Sequence, residues 1–555
     1  MIYPPLSGFP NKSLLIGMLA CTALVGCTNE DELLNNEELS QDNKQSYIAV
    51  SLKSATPMSR AEGATYENGL DPENAVKDAT FFFFNANKEK YSVTEDGDNF
   101  IVKSLEMGTG LAPNVEEISK AVLVIEKSST VPPQYILAVL NAPEALKASA
   151  SLADLQAKIE AYNKNGEYFI MSNSAYVHAA TGEVVVATEL AAENIWDKEG
   201  NLEPNDNIEG ALDHPVNIYV ERVAAKVKVT AGYADGATSF ATGVKTTDNK
   251  DIYAKIQGWK VTNIKSKAYL LKSIDKSWTD TSLGIPAWND APYFRSYWAN
   301  TTNAAWNDPK HPWKWSDLNN LGETTQSYDY YYENTDANSE DLAYENGNIK
   351  TGTHNKSQLL VAADFVDVDG NAIVIAEWYG QKYTIEDLRV AIANSVKSQI
   401  FIKAEDGSAS SITPADIDFF QEEQTAADNR YLSYAKLATA SESKIFAKAD
   451  GTTTMDKDAV NALLKSVHPA KIWKEGGYYY MDIKHLGTTG TVGEFGLVRN
   501  HLYNITIDGI KGLGTPVYDP EKVITPEKPE SDESYIAARI NILAWRVVSQ
   551  NVTLE

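Results

Sequence analysis

The chain has almost no cysteine. Cys21 and Cys27 are its only two among 555 residues, so everything after Cys27 lacks a thiol for a disulfide, a zinc–thiolate centre or a cysteine nucleophile. Basic residues are also scarce, with 49 Lys and Arg against 76 Asp and Glu and a formal net charge of −27. That balance argues against a nucleic-acid partner and against adsorption to anionic lipid, and suits a surface that stays soluble outside a cell. No stretch after residue 24 is long and apolar enough for a membrane-spanning helix. The histidines, His178, His214, His311, His354, His468, His485 and His501, stand apart with no HExxH or His-x-His spacing, which gives neither a metal site nor a triad a starting point. Carboxylates are plentiful but form no local glycosidase-like pair. No cofactor, no metal and no enzymatic activity are expected.

The apolar stretch that does exist lies at the N-terminus. Lys12 precedes an apolar run over residues 14–24, then Gly26 and Cys27, then the acidic, polar residues 28–45. Such a run has the length of a secretory signal and is too short to span a bilayer. A small residue before cysteine fits a lipoprotein signal peptidase site, with residues 1–26 removed and Cys27 acylated. Two or three acyl chains, at about 0.8 kcal/mol per buried methylene, would hold the product at a membrane. Residues 28–45 read as a flexible tether.

The body reads as β-structure. Residues 46–54 alternate Ile48, Val50 and Leu52 against Ala49 and Ser51, the period of two of a half-buried strand. Arg60 follows in the segment 56–63, which Pro57 and Gly63 break, so it reads as protease-accessible. Short β-branched or aromatic runs at 80–84, 121–126, 135–140 and 184–188 read as strands, as do 256–264, 358–365, 372–378, 478–483 and 502–507. Residues 144–162 place Leu146, Leu152, Leu155 and Ile159 near helical spacing, and 385–395 and 457–466 read as short helices in loops. Residues 220–230 put Val223, Ala225, Val227 and Val229 on one face and Lys226 and Lys228 on the other, and a domain boundary is set there. Many short strands and few helices indicate β-sandwiches. Pro516, Pro520, Pro526 and Pro529 mark a linker before a strongly strand-like end. In that end Ile536, Ala538, Ile540 and Ile542 share one parity, Leu543, Trp545 and Val547 take the other, and Val548, Val552 and Leu554 return to the first. Two parity changes predict a bend or bulges, hence two strand pieces.

A strand before an exposed arginine and a strand after a long linker are the parts that strand exchange between subunits requires. With them come Tyr66-Glu67-Asn68-Gly69 and Glu73-Asn74, Met171-Ser172-Asn173-Ser174, Val220-Glu221-Arg222, Ala225-Lys226-Val227, Tyr332-Glu333-Asn334-Thr335, Val498-Arg499-Asn500-His501-Leu502-Tyr503 running to Ile510-Lys511, and Trp545. In order and spacing these resemble the Bacteroidetes fimbrillins, the shaft subunits of type V pili, and most closely the short, Mfa-type major subunits. Ala544 stands where some relatives have proline.

The resemblance implies a mostly β fold of two transthyretin-like β-sandwich domains with helical and loop inserts, at 61–222 and 223–514. It implies a lipidated propeptide at 27–60, a linker at 515–534 and a donor-strand segment at 535–555. An outer-membrane lipoprotein precursor would be cut between Arg60 and Ala61 by a trypsin-like, arginine-specific protease, losing the lipid and a placeholder strand built on Ile48, Val50 and Leu52. The groove left open would receive a neighbour's donor strand, drawn from Ile536, Ala538, Ile540, Ile542, Trp545, Val547, Val552 and Leu554, by β-strand addition. The partners implied are identical subunits in a homopolymer, pilus anchor and tip proteins, the protease, and a host or bacterial surface receptor, with a role in adhesion and biofilm formation in an extracellular fimbrium.

Two alternatives stay open, a pilus tip or anchor subunit and a surface glycan-binding lipoprotein. The second draws on the aromatics between Trp278 and Trp315, among them Trp288, Tyr293, Trp298, Trp306 and Trp313, with 328–332 soon after. Those residues read more simply as core and loop packing of a large β domain. Asp367, Asp369, Gly370 and Asn371 echo the start of a calcium loop but lack its later ligands, and read as a hairpin turn.

Overall fold

In the computed structural model the described residues are those from 46 to 546 other than 56–65, 69, 105–110, 113–114, 126–130, 150, 163–167, 178–182, 198–209, 275–298, 302–312, 322–325, 337–343, 346–347, 350–354, 423–430, 486–492 and 523–534. Cys27, Arg60, Ala61, Val547, Val552 and Leu554 therefore lie outside them.

The protein is mostly β, as the strand-rich sequence predicts, and its described residues gather around separate cores. The first is covered by one ten-stranded sheet with the order Phe100–Ser104, Asp78–Phe84, Tyr135–Leu140, Met171–Asn173, Val216–Arg222, Ser46–Ala55, Val115–Ile125, Leu111–Ala112, plus two short attached strands. Strands far apart in that order send Phe81, Phe83, Ile136, Ile218, Leu123, Ile48 and Val50 into the same core, so the sheet curls over it. Its other face is covered too. Phe82, Phe84, Leu137 and Val139 pack with Leu146, Leu152, Leu155 and Leu270, which is why Phe81, Phe82, Phe83 and Phe84 are all fully buried despite the alternation of a strand.

The helix expected over 144–162 is not one helix. A 3-10 turn, Glu144–Ala148, ends at extended Ser149, and a short α-helix, Leu152–Gln156, restarts at Ser151. Ser151 Oγ accepts from Asp154 N at 3.1 Å and Asp154 Oδ2 accepts from Ser151 N at 2.8 Å. This reciprocal cap competes with helix continuation at its own N-terminus, while the leucines keep their buried positions.

Between Arg222 and Ala225 the chain leaves the first sheet for a sandwich. One layer has the order Tyr66–Asn68, Tyr535–Arg546, His501–Lys511, Ala225–Ala231, Gln326–Tyr331; the other has Phe240–Lys245, Asp251–Thr262, Gln358–Val366, Gly476–Asp482, Thr515–Val517. Val227, Val229, Tyr503, Ile505 and Ile507 of the first layer meet Ile252, Ile256, Trp259, Val361 and Tyr479 of the second in one core, the face-to-face packing of a β-sandwich. Trp313 belongs to this packing: it lies against the core and donates from Nε1 to Val261 O at 2.8 Å.

A third folded unit is inserted between two strands of the sandwich. Gln358–Val366 and Gly476–Asp482 are neighbours in one sheet, and the chain between them builds a five-stranded and a four-stranded sheet of its own. The helices Ile385–Val396 and Lys457–Lys465 are not loop helices. Leu388, Ile392, Val396, Val460 and Leu464 from them join Ile417, Phe446 and Ile472 in an independent core.

The acidic turn at Asp367 is a hairpin turn. Asp367 Oδ1 accepts from the backbone N–H groups of Asp369 and Asn371, each at 2.9 Å, and Gly370 takes a positive φ of 84°. No group of three or more metal-ligating side chains occurs among the described residues, and no described helix is long and apolar enough to cross a membrane.

Candidate strand-exchange groove and interdomain joint

Ser46–Ala55 is not an edge strand. It lies between Val216–Arg222 and Val115–Ile125, parallel to the first, with Val50 opposite Val216 and Leu52 opposite Ile218. It is antiparallel to the second from Ser46 opposite Ile125 to Ala55 opposite Val115. The two flanking strands do not pair with each other. At about 4.8 Å per strand spacing, lifting the middle strand out would part them by about 9.6 Å, the width one strand fills. Ile48 and Val50 are fully buried in the core, and Ala49 and Ser51 on the opposite face are 1% exposed. Burial of two such side chains is worth about 3–6 kcal/mol, before the hydrogen-bond ladders on both sides. Of the expected placeholder residues, Ile48 and Val50 are brought together in one core, and Leu52 holds its register in the same strand.

The other end of the chain is engaged at home. Tyr535–Arg546 pairs along its whole length with His501–Lys511, placing Ile536, Ala538, Ile540 and Ile542 opposite Ile510, Ile507, Ile505 and Tyr503. Those four partners are members of the sandwich core. The described strand runs straight through the parity change at Ile542–Leu543; the one register shift is on the partner, between Ile507 and Gly509. Trp545 is opposite Glu67 in the parallel pairing with Tyr66–Asn68.

The motifs that carry the family resemblance converge where the first sheet meets the sandwich. Glu73, 1% exposed, follows Tyr66–Asn68 on the short helix Asp71–Asn74. It pairs with buried Lys226 at 2.8 Å and accepts from the Tyr330 hydroxyl. Burial pushes the Glu73 carboxyl up, but hydrogen bonds from Lys226 and Tyr330 outweigh it and hold the pKa below the usual value. Arg222, fully buried, donates from Nε to the Glu73 carbonyl at 3.1 Å. Beside it Glu221 and Lys272, both fully buried, pair at 3.0 Å. Burial dominates at Glu221 and raises its pKa against the opposing pull of Lys272 and Arg499.

Arg499 completes the joint. Its Nε meets Glu333 Oε2 at 3.2 Å, and its terminal nitrogens donate to the carbonyls of Leu270 and Tyr269 at 3.0 and 2.8 Å. Asn500 N donates to Ala224 O at 2.7 Å. Asn334 Nδ2 donates to Asn263 O, Asn355 O and Ser357 Oγ within 3.0 Å. Glu73, Glu221, Arg222, Lys226, Glu333, Asn334, Arg499 and Asn500 stand in the sequence motifs named above, which by themselves give these residues no role. The available signal was their charge within apolar strands: Lys226 lies on the polar face of its strand, yet it is buried at 2% exposure while Lys228 on the same face is only partly buried.

The two regions are one strand buried in the middle of a continuous sheet, and a charged, desolvated joint. Residues 472–551 match the family model described as major fimbrial subunit protein type IV, fimbrillin, C-terminal. That match takes in His501–Lys511 and Tyr535–Arg546. Among solved structures, a fimbrilin from Porphyromonas gingivalis W83 is similar at 13% identity, over 91% of this chain and 98% of that one, with a TM-score of 0.36. The tip fimbrial protein Mfa3 from Porphyromonas gingivalis is similar at 12% identity, over 90% of this chain and 100% of that one, with a TM-score of 0.33. No curated protein sequence matches the chain. The match to the fimbrillins is thus carried by the C-terminal region of the chain, residues 472–551.

Proposed function

We propose that the protein is a structural subunit of a surface fimbria, made as a lipoprotein precursor on Cys27 and cut after Arg60. It then polymerises by donor-strand exchange and serves adhesion and biofilm formation. The observation that carries this reading is the placement of Ser46–Ala55: a strand buried inside a sheet, flanked by strands that meet only through it. Its covalent link to everything that follows it in the chain runs through residues 56–65, which contain Arg60. One cut there converts an integral strand into a bound peptide.

The donor on this reading is the tail beyond the home strand. Tyr535–Arg546 already completes the sandwich layer, and withdrawing it would leave Tyr503, Ile505, Ile507 and Ile510 without their opposite strand. Residues 547–555 carry Val552-Thr553-Leu554, which repeats the pattern of Val50-Ser51-Leu52. Valine and leucine two apart present the same side of a strand, so the tail matches the vacated positions in size and period.

Trypsin treatment of the purified, lipid-free precursor is expected to give ladders of SDS-resistant oligomers. Arg60→Ala should abolish them, and so should deletion of 547–555, which leaves the home strand in place. Polymerisation of Arg60→Ala, or ladders from the tail deletion, would overturn the reading. A tip or anchor subunit would show one of the two activities without ladder growth.

A further inference from the structure

The inserted unit carries an exposed aromatic ring, Tyr379, that belongs to none of the cores described above, beside Trp378, which packs against one of them. Ile375–Trp378 and Gln381–Thr384 form a hairpin in which Trp378 is opposite Gln381, so Tyr379 and Gly380 are its two-residue loop. Both have positive φ, 50° and 74°, as a type I′ turn demands, and that turn favours Asn or Asp before glycine. An aromatic residue in the left-handed region is uncommon and strained. Tyr379 accepts that strain while 66% exposed, so packing does not account for it.

The ring is nonetheless held firmly. It stacks on His468 with centroids 4.4 Å apart and planes 17° apart. Trp378 meets it edge-on at 4.7 Å, and Trp378 also contacts Tyr383. Trp378 Nε1 donates to His468 O at 2.8 Å, locking the two supports to each other. The hairpin is braced further by the Glu377–Lys382 ion pair and by Thr247 N donating to Lys382 O at 2.8 Å. The product is a rigid, solvent-facing platform with polar Gln381 at its rim.

We propose that Tyr379, supported by His468 and Trp378, is a carbohydrate-binding platform for neutral β-galactosides. An aromatic face carries negative electrostatic potential and attracts the polarised C–H bonds on one side of a pyranose. Galactose, with its axial O4, gathers C3–H, C4–H and C5–H on a single face, and a single flat ring suits one such patch. A quaternary ammonium ligand calls for several ring faces around it, whereas here Trp378 and Tyr379 meet edge to face, their planes 61° apart, and do not line up as walls of a cage. The net charge of −27 disfavours sialylated or sulfated sugars. The proposal deepens the adhesive reading of the fimbrial subunit by naming its receptor chemistry, but binding by the monomer requires neither cleavage nor polymerisation.

The test is saturation-transfer NMR on the purified, uncleaved chain with methyl β-D-galactopyranoside, and with choline as the competing probe. The expected result is strongest transfer to H3, H4 and H5. Tyr379→Asn, which fits the turn better than tyrosine, should keep or raise the melting temperature while weakening binding at least about tenfold, and Tyr379→Phe should stay within about threefold. No transfer to the galactoside, displacement by choline, or undiminished binding by Tyr379→Asn would each overturn the proposal. Ladder formation after trypsin, read on the same samples, reports separately on the fimbrial reading.

Discussion

Ile48→Ala should speed subunit exchange without changing its end point. Ile48 is fully exposed to core neighbours and not to water, at 0% exposure, on a strand held on both sides. Truncation removes three carbon atoms, worth about 0.8 kcal/mol each by transfer, and leaves a cavity; together these place the cost at about 2–5 kcal/mol. In the uncut precursor that loss lowers domain stability. Once residues 56–65 are cut, the strand is a bound peptide, and the same loss weakens its hold on the groove. At 1.36 kcal/mol per factor of ten, the lower bound of about 2 kcal/mol corresponds to about a thirtyfold faster departure of the placeholder.

The assay follows trypsin-triggered ladder growth on gels alongside the release of the placeholder peptide by mass spectrometry. Cleavage rates should match in wild type and variant, because Ile48 is distant in sequence from Arg60 and the scissile segment is unchanged. The lag between cleavage and the first dimer should shorten by about the factor above, and the final ladder should be the same. An unchanged lag with equal cleavage would refute the reasoning, since placeholder departure would then not limit exchange. Failure of the variant to fold is read separately, by its unfolding midpoint before trypsin is added.

Three further outcomes are expected. Arg499→Met strands Glu333 in the joint and should cost about 3–5 kcal/mol in denaturant unfolding, with Glu333→Leu added to it recovering most of the loss; an uncoupled pair of effects would count against the joint. Asp416 is raised by burial but lowered further by Lys444, Ser441 and Thr413, to about 2 from 3.8, so its contribution, on the order of 2 kcal/mol, is present above pH 4 and lost as the pH falls toward 2; Asp416→Asn should flatten that acid limb in the inserted unit. Gly476→Ala places a Cβ 2.2 Å from Ala363 O at a φ of 135° and should destabilise the sandwich by about 2–4 kcal/mol in thermal unfolding, against a near-neutral Gly370→Asn in the open Asp367 turn.

Runs of β-branched and aromatic residues located Tyr135–Leu140 and Gln358–Val366 closely, and period-two alternation located the N-terminal strand, because each contributes several buried residues to a core. The inserted unit escaped for the opposite reason. Phe401–Lys403, Ala409–Ser411, Ile445–Ala447 and Thr454–Met455 are two or three residues long, too short to show a period. Its two helices were legible, but not the core they share. In the terminal strand, parity in one chain segment predicted a bend, whereas the register shift belongs to the partner at Asp508; a single strand's pattern does not reveal a bulge opposite it. The joint was legible only as a set of motifs, since nothing in the order of residues says that Glu73, Arg222, Glu333 and Arg499 meet.

The joint also bears on where the chain can be cut. Buried ion pairs add little net stability over well-packed apolar groups, but removing one partner leaves a desolvated charge and is strongly destabilising. Glu73 holds Lys226 by a direct ion pair and Arg222 through its carbonyl, so a cut that took Glu73 away with the placeholder would remove a carboxylate from one buried cation and an acceptor from another. Tyr66–Asn68, just before it, adds an edge to the layer containing Tyr535–Arg546. A cut at Arg60 falls after Ser46–Ala55 and before both of these. On the proposed reading it therefore frees the groove strand alone, while the residues that fix the first sheet against the sandwich stay in the product. The acceptor groove and the start of the donor tail then keep one relative orientation from subunit to subunit, which is the geometric condition for a linear homopolymer with a constant repeat.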